Sequence, residues 1–425
     1  MKKISVLLIA FLLVASFAFA EETFSVGFSG SASATFGIDL DTQQTGFQNA
    51  VSSRVRLTFV PQTDVQSEGS DWYGMIELRF RVQADNGNYG AQAISSVREA
   101  RITNDVVYIE LLTPDIDQQW ADDVRDGDEI AGVEFRTLDF ASFAGTFASG
   151  ITGVSPAISG FANDEAGITI GFGDGIVNDL SLGIVSDGDW SDNANYEYGA
   201  TVNVDLDLAP IRLRNRTFLG QGLFTDTDIA FGNSTLVGVS LEDTGTSVDV
   251  GFDVTSNFAE FGDSLEWKAS LTIGQELADG TNVHVLAALG EETGVGEDLS
   301  LDVGLVFAES TSTGLIPNVG ANLALTLMQV LAPEDGMRLG VLFDVEYDEG
   351  GLNPFAGVGF HTVLADDDLN FLAFEAGLAL GADFHGIDNT TFTLRYGTWD
   401  GTTGNSQLGD DFHPGFVTFQ AEISF

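Results

Sequence analysis

Cysteine is absent from the 425-residue chain, proline is held to 8 positions, and lysine to Lys2, Lys3 and Lys268. Without thiols there are no disulfides, no thiolate metal centre and no lipid carried on a cysteine after export, so the fold rests on hydrogen bonds and packing. Beyond the first twenty residues no apolar run approaches the roughly 20 residues that a spanning helix needs. Residence in a bilayer therefore requires strands. Basic residues are scarce as a class: 16 Lys and Arg face 64 Asp and Glu, a formal net charge of −48. That balance disfavours nucleic acid and anionic lipid as partners and attracts counter-ions only loosely. The lack of lysine beside abundant aspartate fits a saline setting.

What is present begins at the first residue. Lys2 and Lys3 precede the apolar run Ile4 to Val14, and Ala18-Phe19-Ala20 supplies a small-residue exit. This is the pattern of a cleavable secretory signal, residues 1–20, with cleavage expected after Ala20. At the other end Val417, Phe419, Ala421, Ile423 and Phe425 alternate with Thr418, Gln420, Glu422 and Ser424. Period-two alternation sorts the two sets onto opposite faces of a strand, one apolar and one polar. Such a wall suits lipid outside and water inside. The closing aromatic residue also matches the signal by which outer-membrane barrels engage their assembly machinery.

Between the ends, 50 glycines and 33 phenylalanines against 7 tyrosines and 5 tryptophans fit many short strands with Phe available for a lipid-facing surface. Alternation and turn residues predict an all-β chain, a transmembrane antiparallel β-barrel over residues 21–425. Its roughly 16–20 strands would enclose a water-filled lumen. The series opens with Phe24–Ile38, Ser53–Val60, Gly74–Gln83 and Val106–Leu112 and runs through Arg338–Tyr347 and Phe371–Leu380 to Phe416–Phe425, with turn clusters such as Asp279-Gly280 and Glu349-Gly350-Gly351. Residues 113–165 alternate poorly and read as one long loop, folded into the pore or lying on the surface. It opens on Asp115, Asp117, Asp122, Asp123, Asp126, Asp128 and Glu129, an acidic candidate for a constriction.

The arginines are grouped. Arg54 and Arg56 lie two apart, as do Arg79 and Arg81, and Arg212, Arg214 and Arg216 form a triplet. Spacing of two puts each group on one strand face, opposite Val55 and Leu57, Leu78 and Phe80, or Ile211 and Leu213. A charge on the lipid side costs about 2–4 kcal/mol near the midplane. The arginines are therefore expected to line the lumen, where a basic patch set against an acidic loop makes a transverse field across a pore. The plainer reading is pairing with wall carboxylates such as Glu77, which stiffens the barrel; it weighs more for the triplet. His284, His361, His385 and His413 are scattered and no nucleophile–base pair stands out, so no catalysis and no cofactor are expected. Asp122 to Asp128 lacks the ordered ligand spacing of a calcium loop.

The early strands carry a further pattern: Ala34-Thr35-Phe36-Gly37-Ile38-Asp39-Leu40, then Gly46-Phe47-Gln48-Asn49, Leu57-Thr58-Phe59-Val60-Pro61, Gly69, and Tyr73-Gly74-Met75-Ile76-Glu77-Leu78. Over residues 30–80 this order resembles the spirochaetal major outer sheath proteins and their treponemal repeat-protein relatives. The resemblance implies an abundant outer-membrane protein forming large pores, a homotrimer, with adhesion to host matrix proteins in some members. The acidic, lysine-poor composition departs from those relatives and weighs against adhesion. The expectation is an outer-membrane porin passing small hydrophilic solutes passively, with cation preference. The alternatives are a surface adhesin or structural sheath protein anchored by its barrel, and a soluble secreted β-protein.

Overall fold

In the computed structural model twenty β-strands follow one another along the chain. The description covers residues 24–59, 72–84, 92–104, 106–111, 166–187, 197–221, 229–257, 265–291, 299–328, 330–331, 337–363, 371–398 and 414–425. The first strands are β1 (Phe24–Asp39), β2 (Thr45–Phe59), β3 (Tyr73–Ala84), β4 (Gln92–Thr103) and β5 (Val107–Glu110). They are followed by β6 (Ala166–Asp174), β7 (Val177–Asp187), β8 (Glu197–Leu208), β9 (Ile211–Gln221) and β10 (Ile229–Leu241). Then come β11 (Thr246–Asn257), β12 (Glu266–Ala278), β13 (Thr281–Glu291), β14 (Leu299–Glu309) and β15 (Val319–Met328). The series closes with β16 (Arg338–Tyr347), β17 (Leu352–Val363), β18 (Phe371–Leu380), β19 (Thr390–Gly397) and β20 (Phe416–Ser424). A four-residue helix, α1 (Ala382–His385), lies between β18 and β19.

Each strand pairs antiparallel with its sequence neighbours, and β20 pairs with β1. The result is a closed up-and-down barrel without a free edge, as the alternation predicts. At the seam Ala32, Ala34, Phe36 and Ile38 of β1 face Ile423, Ala421, Phe419 and Val417 of β20. Phe425, one residue past the strand, exchanges both backbone hydrogen bonds with Gly30, at 2.7 and 2.9 Å.

The outer face is apolar, while the inner face carries most of the polar residues together with buried Phe218, Leu236, Leu286, Val306 and Leu342. Register carries one face from Asn203 to Arg216, Ser234, Asp253 and Lys268 on successive strands. Ser234, Asp253, Thr201 and Thr272 on that face are 0% exposed and Lys268 1%. On the other face Ile170, Leu182, Ile184 and Leu394 are 51–60% exposed. A soluble domain does the reverse. The apolar face is the convex exterior, and Trp267, Tyr347 and Tyr396 sit on it near strand ends, where interfacial aromatics belong.

Inward glycines make room for inward rings. Tyr108 lies across the sheet from Gly171 and Phe355 from Gly377. A methyl group added at either glycine would come within 2.1 Å and 2.3 Å of the ring. The two rims differ as well. Two-residue turns at 175–176, 209–210 and 279–280 share one rim with Phe24 and the end of β20, the rim where β2 also ends and β3 begins, while β5 ends and β6 begins at the opposite rim. In one tight turn Gly280 holds φ at +74°, a conformation that costs glycine nothing.

Leu182 sits halfway along β7 on the exterior. Leu182→Arg is expected to destabilise the barrel by about 2–4 kcal/mol in phospholipid vesicles, read from its urea midpoint, with Leu182→Phe near neutral.

Candidate functional site

The inner wall is where the charged residues gather. Arg54 opposes Arg81 and Arg56 opposes Arg79 in the β2–β3 register. Arg54 also faces Ser29 of β1, a position on the same face as Ser31, Ser33 and Thr35, which pair with Ser424, Glu422 and Gln420. The four arginines therefore occupy adjacent positions on the inner face; their side chains lie outside the described set. Like charges directly opposed weaken strand pairing. Glu77 follows on the same face, opposite Thr58 and Glu99.

The triplet on β9 is held differently. Arg214 is paired with Asp205 and reaches Asp207 at 3.1 Å. Its guanidinium also donates to the Leu206 carbonyl at 3.2 Å. Arg212 pairs with Asp249 of β11 at 2.7 Å. Arg216 donates to the Asn215 carbonyl at 3.1 Å. The planar fork of arginine suits this bridging of two carboxylates on a neighbouring strand. Arg212 and Arg214 thus form a ladder across β8, β9 and β11, the wall-stiffening arrangement.

Further inward contacts escaped the reading of the chain. Arg101 pairs with Glu110 at 3.2 Å and lies 4.1 Å from the centre of the Tyr108 ring. The Tyr108 hydroxyl donates to Asp179 at 2.6 Å, and Ser181 donates to the other oxygen of Asp179 at 3.1 Å. Arg395 pairs with Glu375, whose side chain is 2% exposed. Ser234 donates to Asp253, which stands opposite Lys268 in the register. Apart from Ser181 and Asp179, both on β7, each pair links neighbouring or next-neighbour strands. The acidic candidates from Asp115 to Glu129, the whole of residues 113–165, and His413 lie outside the described residues. His284 on β13 and His361 on β17 take inner-face positions opposite Gly274 and Gly340, and His385 ends α1. Val417, Phe419, Ala421 and Ile423 take the outer face of the seam.

A closed antiparallel barrel with a polar interior and an apolar exterior defines the class: a membrane-spanning β-barrel. The chain is similar to the major surface protein MspTL of Treponema lecithinolyticum, 36% identical over 91 residues, 20% of this chain and 15% of that protein. It is also similar to the major outer membrane protein MspA of Treponema maltophilum, 29% identical over 121 residues, 27% of this chain and 21% of that protein. The chain thus spans about a fifth or less of the length of the curated relatives it matches. No family model matches it. Solved structures aligning along it include OccK11 (OpdR) of Pseudomonas aeruginosa, with 7% identity, TM-score 0.44 and 95% of each chain covered. Another is OmpF of Salmonella typhi in complex with daunomycin, with 11% identity, TM-score 0.38, and 94% of this chain and 97% of that one covered. A mutant Rh. blastica porin aligns with 11% identity and TM-score 0.33, covering 94% of this chain and 100% of that one.

Removing the arginine of a wall pair leaves its carboxylate enclosed. Arg395→Gln is expected to lower stability by about 1–3 kcal/mol, discounted for the partial exposure of the arginine. Arg395→Gln with Glu375→Gln should recover most of that loss. Thermal midpoints of the detergent-folded variants check it.

Proposed function

We infer that this chain is an outer-membrane porin: a water-filled barrel through which small hydrophilic solutes diffuse passively, without a cofactor. The observation that carries the reading is the polarity of the closed barrel: Asp, Ser, Thr and Arg gather on the inner face, beside a few enclosed apolar residues such as Phe218, Leu286 and Leu342, while the outer face is apolar and exposed. A barrel of 20 strands falls in the size range that encloses an aqueous channel or a plugged lumen. The Treponema similarities support an outer-membrane home, reached through a signal cleaved after Ala20. Most of the two-residue turns lie on the rim shared by Phe24 and the end of β20, which fits a periplasmic side there and an extracellular side opposite.

In this reading Arg54, Arg56, Arg79 and Arg81 form a basic patch exposed to the channel, which explains why the sheet tolerates opposed like charges: water and passing anions screen them. The paired Arg212 and Arg214 contribute less to the field. The acidic residues from Asp115 to Glu129 would face the patch from a constricting loop, and the overall charge favours cations. The β20 exterior, Val417, Phe419, Ile423 and terminal Phe425, would be the strand presented to the assembly machinery. A homotrimer in outer-membrane lipid completes the proposal; adhesion to host matrix proteins forms no part of it.

Planar-bilayer recording of the folded protein in asymmetric KCl tests this. Large stepwise openings with a cation-directed reversal potential are expected. Arg79→Gln with Arg81→Gln should move the reversal potential further toward the cation limit, since each change removes a positive charge from the lumen. A heat-modifiable barrel that inserts and never conducts would overturn the porin reading in favour of a surface anchor.

A further inference from the structure

Among the described side chains, the exterior carries a polar cluster away from the rims. On β9 and β10 the outward positions Asn215 and Thr217 stand directly opposite Thr235 and Asn233. Their side chains close a ring. Asn215 Nδ2 donates to Thr235 Oγ1 at 2.7 Å, and the Thr235 hydroxyl donates to Asn233 Oδ1 at 2.8 Å. Asn233 Nδ2 donates to Thr217 Oγ1 at 2.7 Å, and the Thr217 hydroxyl donates to Asn215 Oδ1 at 2.9 Å. Above and below on the same face lie the pairs Phe231–Leu219 and Val237–Leu213. On either side are Val202 and Val204 of β8 and Phe252 and Val254 of β11. Among the described residues of β6 to β20, the other outward positions away from strand ends are apolar apart from Gln275, which is bonded to Thr244 and Thr246 at the turn between β10 and β11.

The ring satisfies each hydroxyl and each amide carbonyl once and leaves one N–H on each asparagine unmet, because a primary amide has two. Hydrocarbon offers no acceptor, and headgroup oxygens lie at the rims, away from the middle of the band. The unmet groups therefore call for a partner that brings amide or hydroxyl oxygens to that depth. A second copy of this chain in the same membrane stands upright in the same sense and carries its own Asn–Thr ring at the same height. Its oxygens have spare lone pairs, and its flanking Val202, Val237, Leu219 and Phe252 are equally exposed for packing.

We propose that the Asn215–Thr217–Asn233–Thr235 ring is the centre of the contact between copies of this barrel. The proposal rests on the barrel standing in a membrane, and it assigns the surface through which copies meet, whether or not the barrel conducts. Because the chain has no cysteine, single reporters are clean. Val237→Cys in the full-length protein is expected to form copy-to-copy disulfides under mild oxidation in outer membranes. Leu394→Cys, outward on β19 about half a circuit away, is not. Replacing the ring by valine at all four positions raises strand propensity, so the barrel should still show heat-modifiable migration while light scattering in mild detergent changes from oligomer to monomer. An unmodified protein that is monomeric in membranes, equal cross-linking from both cysteines, or an oligomer surviving the fourfold substitution would each overturn the proposal. Conductance of the same samples keeps the readings apart: conducting monomers sink only the contact, and silent oligomers sink only the porin.

Discussion

Every strand residue but Pro354 brings one amide donor and one carbonyl acceptor into a medium that offers neither a partner. That constraint decides the architecture. An open sheet of any size would present two bare edges to lipid, so β20 has to return to β1. The last two backbone bonds, between Phe425 and Gly30, finish that accounting. Once the sheet is closed, the split into two faces is forced by the pleat, and so is the demand that one face tolerate lipid and the other enclose polar groups. The small inward residues follow too, because Tyr108 and Phe355 lie flat only where Gly171 and Gly377 face them.

Inside, the problem is an excess of carboxylates. The wall spends few cations on it, and places them where one guanidinium serves more than one acceptor. Arg214 reaches two aspartates and a backbone carbonyl, a task for which a single ammonium is poorly shaped. Lysine's near-disappearance from the chain is consistent with that use. The arginines of β2 and β3 stand apart because they are placed against one another. Local sheet stability alone would not select that arrangement.

Much of the wall was legible in the residues. The expected strands at Arg338–Tyr347 and Phe371–Leu380 agree with β16 and β18 at both ends. Strand β4 was missed because its register skips Arg98: Val97 faces Leu78 and Glu99 faces Glu77, so the period of two breaks inside the strand. The first half of β2, up to Ser52, lies outside the expected strand for another reason, since Asn49, Ala50 and Ser52 offer little contrast between faces. The grouping of arginines was visible by spacing, but their partners were not. Arg212 and Asp249 are 37 residues apart and meet only through three strands of register. Asn215, Thr217, Asn233 and Thr235 look like unremarkable loss of alternation in sequence, and only pairing shows that the four belong together.

The register also has an arithmetic of its own. Irregular steps occur at Glu77/Leu78, Phe172/Asp174, Val177/Asp179 and Glu276/Ala278, yet after twenty strands the polar positions of β20 meet the polar positions of β1. A closed sheet is an orientable surface: following one face around the ring must bring it back to itself. A slip of a single residue at any one strand reverses every face after it, and the contradiction surfaces at the seam, with Phe419 turned to water or Gln420 to lipid. Closure therefore works as a parity check on the whole chain. It accepts compensated irregularities and rejects a lone error wherever in the ring it arose.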